Sequence, residues 1–171
     1  MFHRRALLAT VGFAAFGCPM RTAAAAALPR PSGAVLLTVT GSIAATNADG
    51  AALLDGAQLM GWGPGRLRTA TPWTDGESDF EGVFGSQLLA ALGAGGTMLR
   101  CSALNDYHVD IPAQEMRAYP ILLALRRDGA PLSPRDLGPI WVVYPWTQHP
   151  ELDDRVHRQR SIWQLNAIEV R

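Results

Sequence analysis

The sequence predicts an α+β fold with a mixed sheet and short helices. Segments of strand character outnumber those of helical character, and glycines or prolines stop the helical ones within a few turns. Once a leader is set aside, the remaining 144 residues, 28–171, are enough for one sizeable core and one domain.

Val35 to Thr40 is rich in aliphatic and β-branched residues and reads as the first strand, ended by Gly41. Asn47 to Gly50 is a turn. From Ala51 to Leu59 the leucines and the Leu59-Met60 pair fit one apolar helical stripe, stopped by Gly61 and Gly63-Pro64-Gly65. Arg66 to Thr71 reads as a short strand exposed on one side. Pro72 to Asp79 is polar and turn-rich and leads into Phe80-Glu81-Gly82-Val83, followed by a short helix around Ser86 to Leu92.

Thr97 to Leu104 and Tyr107 to Ile111 read as a hairpin joined by Asn105-Asp106, residue types that tolerate tight turns. Pro112 starts a brief helix through Met116. Ile121 to Arg126 is a strand turned by Asp128-Gly129, and Ile140 to Tyr144 is apolar throughout, as expected for the middle of a sheet. Asp153 to Gln159 is charged, helical or looped, and Trp163 to Val170 alternates as a last strand.

The two ends differ in character. Met1 to Arg5 carries two arginines, Ala6 to Cys18 is an uncharged run too short to span a bilayer, and the alanines up to Ala27 offer cleavage sites. Residues 1–27 therefore read as a signal peptide, and the mature chain is expected to be periplasmic or secreted. Arg4-Arg5-Ala-Leu-Leu has the order of a twin-arginine signal, an order that also opens ordinary secretory signals. Gly17-Cys18 supplies two residues of a lipoprotein site without its usual aliphatic one, so lipidation is the weaker reading.

All 15 basic residues are arginine, which excludes lysine-based covalent catalysis. Because Arg4, Arg5 and Arg21 leave with the signal, 12 arginines face 15 acidic residues and the net charge is −3, no footprint for nucleic acid. No segment of the mature part is long and apolar enough to be a transmembrane helix. Cys101 is then the lone cysteine, within the run Met98-Leu99-Arg100-Cys101-Ser102-Ala103, and is expected at a strand core position.

By spacing alone, no nucleophile elbow, zinc motif, phosphate loop or Cys-x-x-Cys is present. His108, His149 and His157 have no partner at a chelating spacing and read as solvated. Asp75, Glu77, Asp79 and Glu81 lack the order of a calcium loop and read as a solvated loop.

What rises above this background is a set of phrases in fixed order. Thr71-Pro72-Trp73, Phe80-Glu81-Gly82-Val83, Ala103-Leu104-Asn105-Asp106-Tyr107 and Asp110-Ile111-Pro112 come first. Tyr119-Pro120-Ile121, Asp128-Gly129-Ala130-Pro131, Gly138-Pro139-Ile140-Trp141 and Arg160-Ser161-Ile162-Trp163 follow. Together, over residues 35–171, they resemble the molybdopterin-binding domain of the sulfite oxidase family, a fold that carries a molybdenum or tungsten pyranopterin with one cysteine thiolate on the metal.

The resemblance implies molybdopterin as cofactor, but the stretch Arg68 to Trp73, where the ligating cysteine is expected, holds Thr69, Ala70, Thr71 and Pro72 and no cysteine. Cys101 would have to reach a metal from another element, so no metal ligand is assigned. Trp141 also stands where the family has an arginine. The implied cofactor-binding residues are Trp73, Asn105, Asp106, Tyr107, Arg158, Arg160 and Ser161. Arg155, Arg158 and Arg160 beside Ser161 would meet a phosphate through forked guanidinium contacts, or else form an exposed patch neutralised by Asp153 and Asp154. Tyr107 and Trp73 would wall a ring-sized slot, with closure of the core the leading alternative for both.

Two functions follow as expectations. One is an exported oxidoreductase-type molybdopterin-binding protein, alone or with a redox partner. The other is a non-catalytic module that has lost the metal-ligating cysteine and binds a small anionic or pterin-like ligand for a sensor or other partner.

Overall fold

The computed structural model describes residues 27–171. The signal, twin-arginine and lipoprotein readings fall within residues 1–26 and so lie outside the described residues. Among the described residues no helix is long and apolar enough to cross a membrane.

Among the described residues, ten strands form two five-stranded sheets. The first runs β2-β1-β10-β5-β6, with β1 (Val35–Gly41) parallel to β10 (Leu165–Val170) and the other pairings antiparallel. Its remaining strands are β2 (Ala51–Asp55), β5 (Met98–Ala103) and β6 (His108–Pro112). The second runs β3-β4-β7-β8, from β3 (Gly65–Ala70), β4 (Glu77–Phe84), β7 (Leu122–Arg127) and β8 (Ala130–Pro131), and β9 (Trp141–Val143) also pairs with β7. The mixed α+β architecture expected from the sequence is therefore present, with the strands divided between two sheets. Residues of both sheets join one hydrophobic core, from Leu37 and Ile168 in the first to Phe80 and Leu123 in the second.

Three expectations are corrected. Ala51 to Leu59 is not one helix: Ala52 and Leu54 alternate into the core as β2, and α1 (Gly56–Gly61) begins only after Asp55. Asp55 enforces the change, because its Oδ1 accepts from Gln58 N–H at 2.8 Å while Gln58 Oε1 accepts from Asp55 N–H at 3.0 Å, a capping box. Glu77, Asp79 and Glu81 lie on β4 rather than in a loop. Opposite Arg66 and Arg68 of β3 they form ion pairs of 3.0 to 3.7 Å on the solvent face.

The third correction concerns Ile140 to Tyr144, whose strand β9 is not central. It occupies an edge of β7 and is apolar on all sides because the chain around residue 162 covers it. Val142 N–H donates to Ile162 O at 2.9 Å, and Leu165 N–H donates to Ile140 O at 2.9 Å, which stitches the second sheet to the first. The remaining helices are short: α2 (Gly85–Ala91), α3 (Ala113–Ala118) and α4 (Arg155–Arg160).

Candidate functional site

The stitched region carries the candidate site, because loops from both sheets converge there. From the second sheet comes the turn after β3, fixed by threonines. Thr71 Oγ1 accepts from Trp73 N–H at 3.2 Å, Thr74 Oγ1 accepts from Thr71 N–H at 3.0 Å, and Thr147 Oγ1 accepts from Ala70 N–H at 2.9 Å. From the first sheet comes the β5–β6 hairpin, where Asp106 takes φ +62° at the turn and Asn105 Oδ1 accepts from Tyr107 N–H at 3.2 Å.

Helix α4 and the segment after it form the floor. Asp154 caps the helix by accepting from the Val156 and His157 N–H groups at 2.7 and 2.9 Å, which holds its carboxyl below the usual range.

Between these elements lies a pocket of about 260 Å³. Trp73, Trp163, Tyr107 and Ile162 supply apolar and aromatic wall, and Asn105, Gln159, Arg158 and Ser161 supply polar groups. Trp73 is 37% exposed and Tyr107 45% exposed, so the core-closing alternative does not hold for them. Trp73 instead caps a tryptophan cluster, its ring centroid 5.4 Å from Trp163 and 5.9 Å from both Trp141 and Trp146, in edge-on geometry. Tyr107 reaches across to donate its hydroxyl hydrogen to Gln159 O at 3.3 Å.

Of the seven residues taken from the resemblance, Trp73, Asn105, Tyr107, Arg158 and Ser161 thus meet at one pocket, whereas Asp106 and Arg160 do not line it. Asp106 is spent on the turn. Arg160 points the other way, donating to Glu115 Oε2 at 2.6 Å, while Tyr144 donates to Glu115 Oε1 at 2.5 Å. That ion pair is a largely buried structural contact, and it removes Arg160 from the anion-binding patch. Burial pushes the Tyr144 hydroxyl far up in pKa, so it serves as a hydrogen-bond donor.

Arg158 is tied to Asp153, with Nε donating to Oδ1 at 2.8 Å, which holds the Asp153 carboxyl below its usual range. Ser161 is buried; it gives its hydrogen to Val142 O at 2.6 Å and accepts from Trp141 Nε1 at 3.1 Å. His157 is not solvated as expected. It sits half-buried with Nδ1 2.9 Å from Asp154 and its ring 5.6 Å from Tyr144, since it faces inward one turn after the cap. Sequence reasoning missed Trp163, Gln159 and Ile162, which lie beside the basic segment but carry no spacing signal.

The residues do not fit a thiolate-held metal. Cys101 is fully buried in β5, flanked by β10 and β6, and burial pushes its thiol up to about 12. The place expected for a thiolate holds Thr71 and Pro72. Among the described residues, no three His, Cys, Asp or Glu side chains stand together as ligands. What the pocket offers instead is aromatic faces, the Asn105 and Gln159 amides and the Arg158 guanidinium.

No family model matches the sequence, and no curated protein matches it. Among solved structures, the sulfane dehydrogenase SoxCD from Paracoccus pantotrophus is similar, with a TM-score of 0.51 and 16% identity over 78% of this chain. The chain spans about a third of that protein's length, 37%. At this identity the likeness shows the fold alone: a mixed α+β arrangement similar to part of that protein.

Proposed function

We propose that residues 28–171 form an exported, periplasmic or secreted, ligand-binding module that holds a planar, anionic, pterin-like molecule without a thiolate-bound metal. The observation that carries this reading is the meeting of Trp73, Tyr107 and Trp163 with Asn105 and Arg158 in one pocket, while the single described cysteine is sealed in the core. The aromatic rings offer stacking surface, the Asn105 amide can pair with heterocycle edges, and Arg158 can meet an anion with a charge-assisted hydrogen bond worth about 1.5–3 kcal/mol. The pocket's place between loops of both sheets suits a module whose ligand state a sensor or other partner reads.

A second reading, an oxidoreductase-type molybdopterin-binding protein with a redox partner, is favoured by the fold likeness to a dehydrogenase. Fluorescence titration with pterin-6-carboxylate tests the first. It predicts saturable quenching at one site, weakened about ten-fold by Trp73→Ala and by Arg158→Ala. An absence of saturable binding by the folded protein would refute the proposal.

A further inference from the structure

Beside the pocket lies a second hollow of about 300 Å³, lined by Ala70, Thr71, Pro72, Thr147, Asp153 and Arg158 among others. Two features relate it to the first. Arg158 lines both hollows, and the consecutive residues Pro72 and Trp73 contribute one to each, so the turn after β3 forms the ridge between them. The aromatic cluster is continuous across that ridge, since Trp73 touches Trp163 of the first hollow and Trp146 of the second.

Size points the same way. Small-molecule sites occupy roughly 300–1,000 Å³, a range that neither hollow enters far by itself and that both together reach comfortably.

We propose that the two hollows are halves of one elongated site, with Arg158 as the cation they share. This rests on the reading of the first hollow as a pterin-like slot and adds what lies beyond the ring. The chemistry of the halves differs. The first has aromatic walls and, among the described residues, Arg158 as its only charged lining residue, so it takes the planar ring with an acidic group close to it. The second has the Asp153 carboxylate and the threonine-rich end of β3, so it repels a second anion and accepts hydrogen bonds from a neutral, hydroxylated tail. Asp153 also competes with the ligand for Arg158, because its Oδ1 already holds the guanidinium at 2.8 Å. The ligand class is thus a planar ring with an acidic group near it and a neutral, hydroxylated chain.

Two fluorescent probes separate the halves: pterin-6-carboxylate, which has ring and anion, and neopterin, which has ring and polyol tail. In titrations of the chain comprising residues 28–171, Ala70→Leu, which fills only the second hollow, is expected to weaken neopterin about ten-fold and leave pterin-6-carboxylate unchanged. Asp153→Asn, an exposed change that spares the fold, is expected to tighten pterin-6-carboxylate several-fold by releasing Arg158. Circular dichroism verifies folding of each variant.

If Ala70→Leu leaves both probes unaffected, or Asp153→Asn does not tighten the carboxylate, the elongated site is refuted while the ring slot stands. If neither probe binds the unsubstituted chain, the ring slot itself fails.

Discussion

Among single residues, Cys101 and the two neighbouring arginines separate binding from stability most cleanly. Cys101 is wholly buried with its thiol raised to about 12, so it is a neutral core group. It should resist a disulfide-exchange reagent at pH 8 in the folded chain and react at once in guanidinium; fast labelling without denaturant would contradict its burial. Cys101→Ser should cost about 1–3 kcal/mol, because a hydroxyl there must be buried among apolar neighbours. Arg158 and Arg160 differ by two positions but face different surroundings. Arg160→Ala leaves the Glu115 carboxylate short of its cation and should lower stability by roughly 2–3 kcal/mol, whereas Arg158→Ala should reduce ligand affinity with stability little changed.

Asp55 sets a pH limit. Its carboxylate accepts from the backbone N–H groups of Gln58, Gly33 and Ser32 and is held down to about 2. The folded value lies below the unfolded one, so this stabilisation is full above about pH 4 and is lost as pH falls towards 2. An acid titration of the thermal midpoint should show that loss, and Asp55→Ala should flatten it.

Among elements, β4 shows how backbone proximity outweighs side-chain identity. Gly82 lies at a register shift against β7, where an added Cβ would run into the Leu123 carbonyl. Gly82→Ala should therefore cost about 1–3 kcal/mol in denaturant unfolding, an overpacking effect without loss of any contact. Strands whose apolar pattern matched their burial, such as β1, β5 and β7, were legible in the sequence. So was the Asn105-Asp106 hairpin, since its turn chemistry is local.

The segment 51–59 was not legible, because its leucines satisfy a helical stripe and a strand alternation equally until the Asp55 cap decides between them. The edge position of β9 was also hidden, since its cover comes from residues 162–165 rather than from any neighbour in sequence. At the site, the resemblance brought forward five of the lining residues. Asp106 and Arg160, which it also brought forward, do not line the pocket, and Arg160's partner Glu115 lies 45 positions away.

For the whole molecule, the pocket exists only when the two sheets are joined, since Trp73 belongs to one and Tyr107 and α4 to the other. A ligand that binds there binds only the folded state. At a concentration 100 times its dissociation constant it adds about 2.7 kcal/mol, enough to raise the thermal midpoint of a chain this size by roughly 5–10 °C. Pterin-6-carboxylate should produce that shift in the unsubstituted protein and not in Trp73→Ala.

The central claim is that the fold retains an organic ligand while lacking a thiolate for a metal. Its most direct test is the content of protein purified from the periplasm of a host that makes molybdopterin, measured as oxidised-pterin fluorescence and molybdenum per chain. The account predicts a pterin signal with molybdenum well below one per chain, both reduced by Arg158→Ala. Stoichiometric molybdenum retained after Cys101→Ser would contradict it.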